Sequence, residues 1–294
     1  SIYESDYYLP LGIVTNSDLS QCEELPAAER MVIQEYFAGN LLNTDNDLLF
    51  TKYEHTGEKN VRYTNRDGMY YFTPKSKART ATLSYKLKIS DKQSLYFDCF
   101  DLVSRNISEH INGSFAIYVN GIKLDLSFPN QDSNGLLYLG TFENESVSID
   151  VDVNKSAYCS SFGIFGLSQD KLEKAINTTK TADLKVGGRK INGTVEDAKD
   201  GQWLFLSVPY DGGFSATVNG HKAEIYRCMT GFMALKLEEG HNDIALSFLP
   251  KGLKEGVILT TGGLVVLALY IIFRKKIAIM CDRVDGVCRI GVYA

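Results

Sequence analysis

Two stretches of the chain, "SFAIYVNGIKLDL" (Ser114 to Leu126) and "PYDGGFSATVNGHKAEI" (Pro209 to Ile225), repeat one short pattern. In each, an aromatic residue is followed four positions later by Val-Asn-Gly and then by a lysine. Asn-Gly is the favoured pair for a two-residue type I′ turn, because both central residues of that turn need a positive φ. Each stretch therefore predicts a β-hairpin.

The predicted turns fix which side chains face each other across each hairpin, because strand side chains alternate with period two. One face of each hairpin is then apolar and the other polar, as expected for strands that cover a β-sandwich core. The predicted apolar pairs of the first hairpin are Val119–Ile122, Ile117–Leu124 and Phe115–Leu126, with Tyr118–Lys123 and Ala116–Asp125 outside; those of the second are Val218–His221, Ala216–Ala223 and Phe214–Ile225, with Thr217–Lys222 and Ser215–Glu224 outside.

A strand, a polar turn and a second alternating strand follow both hairpins, which predicts two consecutive β-sandwiches of similar plan. The expected fold is mainly β, with short helices and one C-terminal transmembrane helix. The predicted divisions are a mixed segment with a short helix packed on the first sandwich (1–80), the first sandwich (81–166), a connecting helix (167–181), the second sandwich (182–250), a membrane helix (256–273) and a tail (274–294).

The charge of the chain argues against nucleic acid as a partner. The formal net charge is −5 over 294 residues, and the segment from Val257 onward contains five basic and two acidic residues, so residues 1–256 carry −8. Neutralising phosphates requires clustered Lys and Arg, and no such cluster precedes Arg274.

The segment "GVILTTGGLVVLALYIIF" (Gly256 to Phe273) contains no charged residue and is followed by Arg274, Lys275 and Lys276. Eighteen such residues reach the length needed to cross a bilayer core of about 30 Å. The alternative, a buried helix of a soluble protein, is disfavoured by Gly262-Gly263. Phe273 and the three cations form an interface anchor, and the positive-inside rule places residues 1–255 outside the cytoplasm. Because the chain opens at Ser1 without a signal peptide, we expect it to be part of a longer protein.

Residue patterns for catalysis are missing from the sequence. The four histidines have no metal-ligand spacing, and neither a P-loop nor a nucleophile elbow occurs. "NTDND" (Asn43 to Asp47) begins like a calcium loop but continues with Leu48 and Leu49, so a polar loop is the better interpretation. Asp150 and Asp152 alternate with apolar residues, as expected for the solvent-exposed face of a strand. We expect no catalytic residue, no metal site and no cofactor in this chain.

Exposed aromatic side chains would suit a sugar-binding surface, because aromatic faces stack on sugar rings. The candidates are Tyr118, Tyr138, Tyr210 and Trp203. Aromatic residues also fill sandwich cores, and a core position is the favoured interpretation for each of them.

The run from Trp203 to Leu259 resembles the C-terminal end of the bacterial YfhO family of multi-spanning membrane proteins. Matching positions are a strand ending in Pro209-Tyr210-Asp211, the Gly213-Phe214 pair, the Val218-Asn219-Gly220 turn, Gly240-His241 and the final membrane helix. Phe214 stands where the family usually has Trp. The resemblance is close over residues 160–275 and loose over the rest.

The resemblance implies a role in the cell envelope. Members of that family resemble glycosyltransferases that take sugar from a lipid carrier, and they are implicated in glycosylating lipoteichoic acid. The reacting carboxylate of such enzymes lies on an early extracytoplasmic loop, which here would precede Ser1. We therefore expect an extracytoplasmic region in a bacterial cell membrane that binds or positions an acceptor polymer, without the catalytic centre. The expected partners are the lipid bilayer and an envelope polysaccharide or teichoic acid. The alternative is a single-pass cell-surface carbohydrate-binding or adhesion protein.

Overall fold

The computed structural model describes residues 8–25, 29–44, 47–101 and 109–290, with side chains through Phe273. It contains twenty-two strands and three α-helices within those ranges. The elements are β1 (Gly12–Thr15), α1 (Arg30–Leu42), β2 (Phe50–Tyr53), β3 (Gly57–Lys59), β4 (Val61–Arg66), β5 (Met69–Pro74), β6 (Thr82–Ile89), β7 (Gln93–Phe100), β8 (Phe115–Val119), β9 (Ile122–Phe128), β10 (Leu136–Phe142), β11 (Glu145–Val153), β12 (Ala157–Cys159), β13 (Ser161–Ser168), α2 (Gln169–Thr178), β14 (Lys180–Thr181), β15 (Asp183–Gly187), β16 (Lys190–Ala198), β17 (Trp203–Pro209), β18 (Phe214–Val218), β19 (His221–Ala223), β20 (Tyr226–Cys228), β21 (Phe232–Lys236), β22 (Gly240–Phe248) and α3 (Leu253–Ile290).

The first sandwich packs the sheet β3-β6-β11-β8-β9 against the sheet β10-β7-β13-β2, with a small sheet β12-β5-β4 at one side. Its interior contains a cluster of aromatic side chains. The rings of Phe72 and Phe162 are 4.4 Å apart, and both contact Phe115. Phe97 is fully buried in the same cluster. This aromatic cluster packs among buried Val, Leu and Ile side chains of both sheets.

The second sandwich packs β15-β16-β22-β18-β19 against β14-β1-β17-β21-β20, and its interior is aliphatic. Leu204, Leu235 and Ile244 are among its buried residues. Strand β1 pairs with β14 and β17, so the beginning of the chain adds a strand to the second sandwich. The segment 1–80, expected to pack on the first sandwich, therefore contributes to both.

Helices α1 and α2 cover the outer face of the sheet that contains β1 and β17. The stretch "LPAAERMVIQEYFAG" predicts a helix with Pro26 in its first turn and Gly39 at its end. Residues 26–28 lie outside the described ranges, and helix α1 continues beyond Gly39 to Leu42. It ends there because Asn43 adopts a left-handed conformation, with φ of 55°. Helix α2 begins after Ser168 and lies inside the connecting segment 167–181.

The structure confirms the predicted pairing beside both turns and corrects it farther away. Val119–Ile122, Tyr118–Lys123, Val218–His221, Ala216–Ala223 and Thr217–Lys222 pair as predicted. The predicted pairs Ile117–Leu124, Ala116–Asp125 and Phe115–Leu126 are wrong, because two register shifts in β9 place Ile117 opposite Asp125 and Phe115 opposite Phe128. The pair Phe214–Ile225 is also wrong, because β19 ends at Ala223 and Phe214 pairs with Phe248 of β22.

Helix α3 directly follows the second sandwich. Within the described chain, its first 21 residues, Leu253–Phe273, form one stretch long and apolar enough to cross a membrane, and the predicted span 256–273 lies inside it. The side chains of this stretch are exposed throughout. Such a surface requires an apolar surrounding, which a bilayer provides.

Candidate functional site

The Pro-Tyr-Asp motif forms a turn between β17 and β18. Pro209 ends β17, and the next amide, of Tyr210, donates a hydrogen bond to the Gly231 carbonyl at 2.7 Å. The Asp211 side chain accepts a hydrogen bond from the Gly213 amide at 2.7 Å. A short polar side chain that bonds the backbone two residues on is a standard means of closing a turn. This gives Asp211 a structural role.

The same motif fixes the junction between the second sandwich and α3. The Leu249 amide donates to the Gly213 carbonyl at 2.9 Å. The ring of Phe214 packs on Phe248, with centroids 4.8 Å apart. A Cβ added to Gly213 would lie 2.5 Å from the Leu249 carbonyl oxygen, so this approach requires glycine. The motif therefore holds the last strand in place immediately before the membrane helix.

The two Asn-Gly turns share a backbone conformation and an asparagine side-chain contact, and the pattern of apolar residues did not predict that contact. Both residues of each turn have positive φ: 50° and 74° at Asn120-Gly121, and 52° and 79° at Asn219-Gly220. The Asn120 side chain accepts from the Ser148 amide at 2.9 Å, and the Asn219 side chain accepts from the Asp243 amide at 2.8 Å. Each asparagine thus ties its turn to the central strand of its sheet, β11 or β22. The signal available in the sequence was asparagine at the same place in both copies.

The aromatic candidates occupy different environments. Trp203 is only 5% exposed and packs edge-on against Tyr226, so it belongs to the core. Tyr138 is 52% exposed, and its ring contacts Tyr96. Tyr210 is 42% exposed on the motif turn. The core position favoured for each of these three is therefore correct for Trp203 and wrong for Tyr138 and Tyr210.

Tyr118 lines a cavity of about 1100 Å³ at one end of the first sandwich, which we call the Tyr118 cleft. The connection between β5 and β6 forms one wall, and the ends of β8, β9 and β11 form the other. Its charged lining consists of Lys77, Arg79, Lys155 and Asp152, and Leu126 adds an apolar rim. The cleft combines an aromatic ring with polar and charged groups, as small-molecule sites commonly do.

The acidic side chains considered above as metal ligands form hydrogen bonds or ion pairs with other side chains of the chain. Asp152 accepts a hydrogen bond from the Thr82 hydroxyl at 2.5 Å, and Asp150 accepts one from Ser84 at 2.6 Å. In the "NTDND" stretch, Asp45 and Asn46 lie outside the described residues. Asp47 forms an ion pair with Lys171 at 2.9 Å, which lowers the pKa of this carboxyl. Over the described ranges, no group of three His, Cys, Asp or Glu side chains could hold a metal ion.

A buried ion pair that the sequence analysis missed joins α1 to the first sandwich. The Arg30 Nε lies 3.4 Å from Asp98 Oδ1, and the Arg30 guanidinium lies over the Phe100 ring at 4.3 Å. Ser161 donates a hydrogen bond to Asp98. Burial raises the pKa of the Asp98 carboxyl, and the Arg30 charge opposes that rise. The available signal was an aspartate inside the apolar strand "LYFDCF".

A neighbouring polar cluster extends this junction. The Lys52 ammonium donates to the Glu29 carboxylate at 2.6 Å and to the Tyr70 hydroxyl at 2.8 Å. Burial and the Glu29 carboxylate raise the pKa of Tyr70. All of these groups have protein partners, which favours a structural role over a catalytic one.

The predicted membrane anchor is described only in part. Phe273 is the last residue of the apolar stretch and is exposed. Helix α3 continues through residues 274–276 to Ile290, but the side chains of Arg274, Lys275 and Lys276 lie outside the described part.

Solved structures similar to this chain include two carbohydrate-active enzymes, and the structural similarity is low in both cases. A cycloisomaltooligosaccharide glucanotransferase of Paenibacillus sp. is 8% identical, with a TM-score of 0.24, over 76% of this chain and 51% of that chain. A GH2 β-galacturonidase of Eisenbergiella tayi is 11% identical, with a TM-score of 0.25, over 68% and 37%. Scores this low do not establish a common fold or activity.

A curated relative and a family model give a consistent assignment. "Uncharacterized protein YfhO" of Bacillus subtilis (strain 168) is 22% identical over 273 residues, which are 90% of this chain and 28% of that protein. The chain thus spans about a quarter of the length of this relative. The model of the family described as "Bacterial membrane protein YfhO" matches residues 1–260, which include both sandwiches and the start of α3. The chain therefore belongs to the YfhO family of bacterial membrane proteins, as its resemblance predicted.

Proposed function

We propose that the two sandwiches form an extracytoplasmic region of a cell-envelope glycosylation protein. In this proposal they bind or position an acceptor polymer of the lipoteichoic acid type. The observation that carries it is the order of parts: two β-sandwiches, both inside the family match, are followed without a linker domain by an apolar helix, of which the match includes the start. A tether of this kind keeps the sandwiches within reach of polymers that grow at the membrane surface.

The catalytic step is assigned to a different part of the longer protein. The described residues contain ion pairs and hydrogen-bonded carboxylates with structural partners, as set out above. The relative from B. subtilis is more than three times as long as the matched stretch. In this proposal the sandwiches contribute to glycosylation by holding the acceptor near the reacting centre, which raises the effective concentration of the acceptor.

Orientation is the first requirement of the proposal, and it can be tested with a membrane-impermeant thiol reagent. On intact cells with a permeable wall and native cysteines replaced, the reagent should label a cysteine at Lys222 but not one at Lys276. Insertion of a basic triplet costs about 2.5 to 3.5 kcal/mol per cation at the bilayer centre, so residues 274–276 should remain inside. Labelling at 276 with protection at 222 would contradict the orientation.

Acceptor handling is tested in a bacterium that carries the full-length protein. Residues 8–250 are replaced by a flexible linker, and the ratio of sugar to phosphate is measured in purified envelope polymer. We expect the ratio to fall severalfold while the truncated protein stays at its normal membrane level. An unchanged ratio would show that the sandwiches are not needed for glycosylation.

A further inference from the structure

The walls of the Tyr118 cleft are fixed by backbone contacts on both sides. The Asn60 side chain donates hydrogen bonds to the carbonyls of Ser76 and Arg79, at 2.9 and 2.7 Å. On the opposite wall, the Asn154 side chain donates to the Leu126 carbonyl at 3.0 Å. The two walls are joined where the Val153 amide donates to the Ala81 carbonyl at 2.7 Å. Because the loops are already held, a ligand would lose little affinity to ordering them.

The charge in the cleft has the opposite sign to that of the surrounding region. Lys77, Arg79 and Lys155 line it, while residues 1–256 as a whole carry −8. Among the described residues, none of these three cations lies within 4.0 Å of a carboxylate oxygen. The one carboxylate of the lining, on Asp152, is engaged by the Thr82 hydroxyl. Unneutralised cations concentrated in a concave site attract anions.

The remaining lining suits a hydroxyl-rich ligand. The half-buried ring of Tyr118 offers an apolar face and a phenolic oxygen. Ser76, Thr80 and Ser156 add hydroxyl groups that both donate and accept hydrogen bonds. A bilayer surface fits less well, because a plane of headgroups cannot fill a concave cavity of about 1100 Å³.

We propose that the Tyr118 cleft binds an anionic sugar or polyol, that is, a hydroxyl-rich unit with a phosphate or carboxylate group. The proposal rests on the proposed function only for the source of the ligand, an envelope polymer. The anion lies against Arg79, Lys77 and Lys155, and the sugar or polyol lies against Tyr118. Arg79 is the main anion-binding group, because its planar guanidinium matches phosphate and carboxylate in a bidentate way.

The test uses the full chain in phosphatidylcholine nanodiscs. Binding of glucose 6-phosphate and of glycerol 3-phosphate is measured by saturation-transfer NMR and calorimetry, with glucose and glycerol as neutral probes. We expect the phosphorylated probes to bind about tenfold or more tightly than the neutral ones, because a hydrogen bond to a charged group is worth about that factor. No preference for the phosphorylated probes would overturn the proposal.

A matched pair of double variants separates the cleft from general electrostatic attraction. The variant Arg79→Gln/Lys155→Gln removes two charges from the cleft, and Lys86→Gln/Lys88→Gln removes two from exposed positions of β6 outside it. All four side chains are exposed, so both variants should fold. We expect the first variant to weaken binding about tenfold or more and the second to change it less than about twofold. Equal losses in both variants would overturn the proposal.

A lipid headgroup is the competing source of the same anionic chemistry. In nanodiscs with phosphatidylglycerol, we expect the phosphorylated probes to bind as before. Loss of probe binding there, together with new hydrogen-exchange protection of residues 75–81, would assign the cleft to the membrane surface and overturn the proposal.

Failure of the site and failure of the proposed function give different results. If glycosylation requires residues 8–250 but phosphorylated probes do not bind, the cleft proposal fails alone. If the probes bind at the cleft but cells with Arg79→Gln/Lys155→Gln in the full-length protein glycosylate normally, the site stands and acceptor handling through it fails.

Discussion

In the first sandwich the Asn120-Gly121 turn leads into a strand of seven residues, whereas in the second the Asn219-Gly220 turn leads into one of three. Strand β9 stays at the sheet edge and shifts register twice against β8. Strand β19 ends at Ala223, and the chain then crosses to β20 in the facing sheet. The turn chemistry is the same in both, so it fixes only the pairs beside the turn. The length of the strand and its bulges decide the rest.

The interiors of the two sandwiches differ as well. Phe115, at the start of the first hairpin, is buried among Phe72, Phe97 and Phe162. Phe214, at the equivalent place in the second, lies at the border of an aliphatic core and packs on Phe248. Two sandwiches of similar plan therefore have different cores. Phe115 lies in the interior of the first, whereas Phe214 lies at the border of the second.

The largest expected effect comes from removing an aromatic side chain from the first core. Phe97→Ala should destabilise the first sandwich by about 3 to 5 kcal/mol, because a buried ring leaves a large cavity. Hydrogen exchange of the full chain in nanodiscs should speed up in β6, β7 and β11. Trp203, the only tryptophan of the chain, lies in the second sandwich, and its fluorescence unfolding midpoint should stay unchanged.

We expect the matched variant Leu235→Ala to destabilise the second sandwich instead of the first. Leu235 is fully buried in the second core, and its truncation should cost about 2 to 5 kcal/mol and shift the Trp203 midpoint. Equal shifts of that midpoint by both variants would mean that the two sandwiches unfold as one unit.

An intermediate effect is expected at the turns, where the two hairpins are alike. Gly121→Val and Gly220→Val each place a β-branched residue at positive φ, and no atom lies within 4 Å of an added Cβ at either position. The cost is therefore purely conformational, about 1 to 2 kcal/mol. Hydrogen exchange of β8 and β18, respectively, measures it. Wild-type protection in either variant would show that its turn tolerates the side chain.

The sequence predicted what local chemistry determines and missed what distant contacts determine. Asn-Gly specified both turns, and alternation specified which residues of β11 and β22 are buried. The bulges in β9 depend on how that strand meets β8, and no residue of β9 encodes them alone. The ion pair of Arg30 with Asp98 joins residues 68 positions apart, and the cleft is assembled from four separate segments. Such arrangements follow from the packing of the finished fold.

A smaller effect is expected from a charge cluster present on the second sandwich. His241 Nδ1 lies 2.9 Å from Glu196, and Nε2 lies 3.2 Å from Asp243. These hydrogen bonds to carboxylates raise the pKa of His241 above 6.5. The equivalent strands β6 and β11 of the first sandwich carry hydroxyl–carboxylate pairs instead.

The sign of the pH dependence follows from the raised pKa. The stabilisation is fully present below the unfolded pKa of about 6.5 and is lost as the pH rises through the higher folded value. NMR titration of the His241 ring should give a pKa above 6.5, and Glu196→Gln/Asp243→Asn should lower it. A ring pKa that is the same in both proteins would contradict the contacts.

The smallest effect is expected at Ile122, where apolar pattern and structure disagree most. Ile122 pairs with Val119 as predicted, yet its side chain is 74% exposed. Ile122→Thr should therefore change the free energy of unfolding by less than about 0.5 kcal/mol, since exposed substitutions away from special backbone positions rarely do more.

Ile117→Thr is the matched control, because the same change at a fully buried position leaves a cavity and an unpaired hydroxyl, which together cost about 2 kcal/mol or more. Hydrogen exchange of β8 and β11 measures both variants. If Ile122→Thr cost as much as Ile117→Thr, the side chain of Ile122 would be buried, which would contradict its exposed position at the sheet edge.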